Sequence, residues 1–223
     1  MQIFTSSIGK KIVMAVSGLS MVSFACIHLL GNLTIFGGLD GGINAYAHHL
    51  HSMPWPVIVA FRAGLLSLFM LHVCFGISLA MDNSSARQPY AIKAGRKTTF
   101  ASETMIWTGL LLLTFIVFHL LHFTFQTISP ATAAKANLLG VVPDVQGMLY
   151  AAFKGSVVTA VYVAALVVLF LHVSHGFQSV FQTLGLNNGK SMPVVLKAGT
   201  FVALVFLLGF ASIPLTIFSN ILK

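Results

Sequence analysis

Five long apolar runs separated by polar segments set the pattern of this chain. They extend over residues 12–36, 55–81, 102–128, 149–183 and 194–221. About 20 apolar residues carry an α-helix across a bilayer, and each run reaches that length. The pattern therefore predicts an all-α membrane protein, a bundle of five transmembrane helices forming a single domain over 1–223. The first run follows Lys10-Lys11 as a signal peptide would. It is too long for a signal's apolar region, has no small-residue cleavage site and contains a histidine, so it reads as the first helix. Residues 37–54 read as a polar loop, rich in glycine and histidine and punctuated by Gly37 and Pro54. The segment 129–147 carries Pro130 and Pro143, and its Ala-rich first half predicts a short interfacial helix. The fourth run is longer than a span requires, which predicts tilt or projection beyond the membrane. Pro214 predicts a kink late in the fifth helix.

Composition agrees with this class. Of 223 residues, 57% are hydrophobic and 7% charged, against about 25% charged in a soluble domain. So few charges cannot cover a surface exposed to water. The formal charge is +8, but the basic residues fall at the ends of the apolar runs. There they orient the chain and attract anionic lipid, which argues against nucleic acid as a partner. Lys10, Lys11, Arg87, Lys93, Arg96, Lys97, Lys190 and Lys197 share one side of a five-helix bundle, and Arg62, Lys135, Lys154 and Lys223 the other. The positive-inside rule then predicts a cytoplasmic amino terminus and an outer carboxyl terminus. Cys26 and Cys74 lie inside apolar runs, and no Cys-x-x-Cys-His motif is present for covalent haem attachment.

The chemistry lies in the histidines, which are costly inside a bilayer. Leu71-His72-Val73-Cys74-Phe75-Gly76 is echoed by Leu171-His172-Val173-Ser174-His175-Gly176. Ser17-Gly18 precedes His28 as Thr108-Gly109 precedes His119, with equal spacing. Each of these four histidines lies in the later part of its helix, and neighbouring helices run antiparallel. His28 and His119 then share one depth, and His72 and His172 another. Haem iron accepts a neutral imidazole on each side. Two facing helices meet that need, so the four histidines are read as axial metal ligands of two non-covalent b haems. A single membrane histidine is as readily a hydrogen-bonding residue between helices. Zinc or copper is disfavoured, because no carboxylate or thiolate joins a histidine cluster at either depth. His122 and His175 follow proposed ligands by three residues and are assigned to packing or to a haem propionate. Arg62 and Arg87 are candidates for propionates, with snorkelling and topology as the plain alternatives.

The order and spacing of these motifs carry a family resemblance over essentially the whole chain. The motifs are Ser17-Gly18-Leu19, His28-Leu29-Leu30-Gly31-Asn32, Asn44-Ala45-Tyr46-Ala47, His72-x-x-x-Gly76, Asn83-x-x-x-Arg87, Thr108-Gly109 with His119, and His172-x-x-x-Gly176 with Gly185. The chain resembles the five-helix, di-haem cytochrome b558 subunit of succinate dehydrogenases and fumarate reductases. That resemblance implies that His72 and His172 ligate a proximal haem and His28 and His119 a distal one. It implies a flavoprotein partner carrying FAD and the dicarboxylate site, an iron–sulfur partner, and a bacterial cytoplasmic (inner) membrane. It also implies a quinone, usually menaquinone, reacting near the distal haem, with Asn32, Asp40, His48, His49 and His51 as candidates for its site. The chain departs from some members at Phe170, where they carry glutamate.

These readings converge on the quinone-reactive electron-transfer anchor of a succinate:quinone oxidoreductase, not a complete enzyme alone. The alternatives are a di-haem anchor of another dehydrogenase, such as a formate dehydrogenase or hydrogenase, and a haem-free transporter relaying protons through histidines.

Overall fold

The computed structural model describes residues 6–37, 42–85, 99–128 and 144–222, and among these every regular element is helical. The elements are α1 Ser7–Leu33, α2 Gly42–His51, α3 Trp55–Ser85, α4 Phe100–Glu103, α5 Met105–His119, α6 Val145–Phe153, α7 Ser156–Thr183 and α8 Met192–Phe218. A 3-10 turn, Thr34–Phe36, extends α1, and a π turn, Leu120–Thr124, extends α5. Five helices are long and apolar enough to cross a membrane: α1 and α5 with these extensions, α3, α7 and α8. Arg87, Lys93, Arg96, Lys97, Lys135, Lys223, Asp40 and the Ala-rich stretch after Ser129 lie outside the described residues.

Contacts fix the directions of the helices. Lys10 at the start of α1 pairs with Asp82 at the end of α3 at 2.6 Å, and Phe24 meets Phe61 further along. The two helices are therefore antiparallel. Met105 packs at Gly176, and Phe118 meets Tyr162, so α5 and α7 are antiparallel too. Helix α8 lies along α7 with Gly199 against Phe177 and along α1 with Gly209 against Leu29. Small residues let helix backbones approach where lipid gives no hydrophobic drive to association. One apolar cluster joins Leu29, Val173, Ala203 and Phe206 at mid-bundle. Another joins Ile35, Ile43, Leu149, Phe153, Tyr162, Ile213 and Ile217 at the end carrying α2 and α6. Helix α3 has no buried residue and stands at the edge of the bundle.

Three expectations from the pattern are corrected. The segment 37–54 is not all loop: Gly42–His51 is helical and buries Ile43 and Ala47, one turn apart. The apolar run 149–183 is two helices, because Gly155 adopts an extended conformation (φ −78°, ψ 121°) between α6 and α7. The turn lies at Lys154-Gly155-Ser156, a polar interruption too short to divide the apolar run by hydropathy. The third span does not run evenly over 102–128. Thr104 interrupts it at the start, and Gln126, with φ 53°, lies beyond its π-turn end. Helix α8 continues through Pro214 to Phe218, and Pro214 is buried within it.

Candidate functional site

The bundle gathers the four membrane histidines into two pairs. His72 of α3 and His172 of α7 face each other with ring centres 6.3 Å apart and planes inclined by 69°. His28 of α1 and His119 of α5 meet at 6.1 Å and 89°. The first pair lies level with Ser17 of α1. The second lies level with His28, eleven residues further along the same helix, about 16 Å at 1.5 Å per residue.

The surroundings of the first pair repeat almost atom for atom. The Ser17 hydroxyl stands 3.3 Å from His72 Nδ1, and the Thr108 hydroxyl 3.1 Å from His172 Nδ1. A Cβ at Gly18 would lie 3.0 Å from His72 Cε1, and one at Gly109 3.3 Å from His172 Cε1. A Cβ at Gly76 would lie 3.5 Å from the end of Met14, and one at Gly176 3.4 Å from that of Met105. The two sequence echoes thus interlock. The Ser/Thr-Gly of one helix seats the histidine of its antiparallel neighbour, once on α1 with α3 and once on α5 with α7.

The second pair has different neighbours. Phe24 stacks on His28, with ring centres 5.4 Å apart and 16° between planes, and Phe210 flanks it at 5.7 Å. The Asn32 amide donates to the His28 carbonyl at 2.7 Å and stands 3.4 Å from both ring nitrogens. His119 Nδ1 lies 3.5 Å from the Tyr162 hydroxyl, which is also 3.1 Å from Nδ1 of buried His122. His122 stacks on Phe123 in the π turn, facing Tyr162. π turns occur often at functional sites.

The remaining candidates scatter. His175 is half-buried one turn beyond His172 and makes no hydrogen bond among the described residues. Arg62 is exposed on α3. His48, His49 and His51 are exposed on α2, where His51 Nδ1 donates to the Ala47 carbonyl at 2.8 Å. None of the three makes a hydrogen bond or ring contact with either histidine pair. Asp40 and Arg87 lie outside the described residues. Among the described residues no group of three or more His, Cys, Asp or Glu is placed to share a metal ion; the arrangement is one of pairs.

Helix α2 closes the end nearest the second pair. Tyr46 lies so close over Gly31 that a Cβ there would stand 2.5 Å from its ring. Asn44 bonds the Asp144 carboxylate and accepts from the Gln146 amide N–H, both at 2.9 Å. The Gly147 N–H and the Asn44 amide hold the Asp144 carboxyl below the usual carboxylate range. Sequence reasoning did not assign roles to Met14, Met105 or Tyr162. The methionines were within reach, since each precedes its Ser/Thr-Gly by three residues. Tyr162 has no such signal.

The sequence profile of the succinate dehydrogenase/fumarate reductase transmembrane subunit family matches residues 81–207, more than half of the chain. The chain belongs to that family. The matched stretch of this succinate dehydrogenase/fumarate reductase subunit contains His119 and His172; their partners, His28 and His72, precede it. No curated protein and no solved structure matches the chain.

Proposed function

We propose that this subunit is a di-haem b electron-transfer anchor of its complex, reacting with a quinone. The observation that carries the reading is the spacing of the two histidine pairs. A metal–imidazole bond of about 2 Å on each side, plus roughly 1 Å from ring nitrogen to ring centre, separates two axial rings by about 6 Å. Both pairs stand at that spacing, at 6.3 and 6.1 Å. The donor set fits as well: two neutral nitrogen ligands per centre, on opposed helices, with apolar walls from Phe24, Phe115, Phe210 and Phe123 at the second pair.

His72 and His172 would hold one haem, and His28 and His119 the other. When bound, these groups supply one-electron transfer between a water-soluble donor and a membrane quinone. The chain's own contribution is to position the rings, keep them neutral and exclude water. Dicarboxylate chemistry would belong to a flavoprotein partner, with an iron–sulfur partner between the two. By the positive-inside rule the end with Lys10 and Asp82 would face the cytoplasm, and the His72–His172 pair would then be proximal to those partners. Quinone, of the menaquinone class, would react near the His28–His119 pair, where Asn32 lies beside His28.

The test is haem content of the purified complex. Wild type is expected to show b-type bands on reduction and two haems per chain. His172→Ala should lose one haem, whereas His175→Ala should retain both. A colourless complex overturns the reading, and haem loss from His175→Ala with retention in His172→Ala overturns the ligand assignment.

A further inference from the structure

The hydroxyls beside the first histidine pair have a proton balance that fixes which ring nitrogen is free. A Ser or Thr hydroxyl carries one proton and two lone pairs. Ser17 sits 2.7 Å from the Val13 carbonyl of its own helix, and Thr108 sits 3.0 Å from the Met105 carbonyl. A carbonyl only accepts, so each hydroxyl gives its proton there. What it then offers to the imidazole, at 3.3 Å for His72 and 3.1 Å for His172, is a lone pair. The Met14 and Met105 carbonyls, which only accept, also bond the rings of His72 and His172, so the hydrogen belongs on Nδ1 of each histidine and Nε2 keeps its lone pair.

We propose that Ser17 and Thr108 are positioning residues: together with the Met14 and Met105 carbonyls they hold His72 and His172 in one tautomer and orientation, present both Nε2 atoms to one haem iron, and raise the basicity of both ligands. The inference rests on the haem reading above. A hydrogen bond from the far ring nitrogen makes an imidazole a stronger donor, which favours the oxidised metal. The same device appears twice, on α1 and on α5, each time with a glycine next in sequence that leaves no room for the ring to swing toward the helix. Gly18 and Gly109 would put a Cβ 3.0 and 3.3 Å from the two rings. Among the described residues, neither ring of the second pair meets a Ser or Thr hydroxyl. His28 meets the Asn32 amide nitrogen, which is a donor, and the Tyr162 hydroxyl near His119 is shared with His122. The effect is thus confined to one of two centres, and the other serves as an internal control.

Redox titration of the purified complex, followed at the reduced b-type band, tests this. The wave missing from His172→Ala identifies the His72–His172 centre. Ser17→Ala and Thr108→Val remove the hydroxyls and keep the packing. They should keep both haems, move that wave to higher potential and leave the other in place. Ser17→Thr and Thr108→Ser should restore it. Loss of that haem alone, reversed by the hydroxyl-bearing variants, also supports the proposal. An unmoved wave, equal movement of both waves, or loss of both haems overturns it. A wild-type complex without any b-type wave overturns the functional reading itself, and this inference with it.

Discussion

Adding one methyl group at Gly18 tests the packing of the first histidine pair against magnitude. The new Cβ would stand 3.0 Å from His72 Cε1, short of the ordinary 3.4 Å limit by about 0.4 Å. The imidazole is rigid, and His172 stands behind it at 6.3 Å, so the ring has to tilt or α1 has to retreat. Overpacking of this kind costs about 1–3 kcal/mol, which is roughly 5- to 150-fold in retention of the group held there. Gly109→Ala meets His172 at 3.3 Å and should cost less than Gly18→Ala. Gly76→Ala meets only the flexible end of Met14 at 3.5 Å, an ordinary contact. Replacing a mid-helix glycine also favours the helix by about 0.5–1 kcal/mol, so Gly76→Ala should be neutral or better. The assay is haem retained per chain through purification, with the haem proposed at the His28–His119 pair as reference. The expected order of loss is Gly18→Ala, then Gly109→Ala, then Gly76→Ala. Equal loss in all three, or full retention in Gly18→Ala, refutes the reasoning.

Other expectations follow from single contacts. Tyr162→Phe leaves Nδ1 of buried His122 without its 3.1 Å partner, at a cost of about 1–3 kcal/mol; thermal unfolding in detergent should show a lower midpoint, and an unchanged one would count against the bond. Gly31→Ala drives a methyl group into Tyr46, which should loosen α2 and speed amide exchange over Gly42–His51. Unaltered exchange there would mean that Tyr46 does not lean on α1. Asp144 is bonded by the Gly147 N–H and Asn44, and its folded carboxyl ionises at lower pH than an unfolded one. Its stabilisation is therefore fully present above the ordinary carboxylate range and is lost as pH falls through the lowered folded value. Exchange over α2 should rise with acid in wild type; the acid-induced rise should be weaker in Asp144→Asn, and identical pH profiles would contradict the latch.

Much of the bundle is legible in the sequence because a bilayer demands it. Spans must be long, apolar and helical, and a histidine within one stands out against that background. The antiparallel rule then brings His72 toward His172 and His28 toward His119, and the structure brings the same rings together. What hydropathy cannot see is a turn between two apolar helices, such as Gly155, or a short helix written in glycine and histidine. In α2 the helical period is present at Ile43, Tyr46, Ala47 and Leu50, yet Gly41-Gly42 and three histidines disguise it. The contacts of Ser17 and Thr108 with the paired histidines were visible only as an echo beside glycine. Their chemistry depends on which neighbour the hydroxyl meets across the helix interface. Tyr162 is harder still, because a tyrosine in an apolar run satisfies hydropathy and shows its polar tip only once His119 and His122 are placed beside it.

The pairing of the ligands is tested most directly by haem content in double variants. Removing both members of one pair, His72→Ala with His172→Ala, should cost one haem and leave the other with its spectrum intact. Removing one member from each pair, His28→Ala with His172→Ala, should cost both. A subunit emptied by the first combination, or a haem still bound after the second, would contradict this pairing.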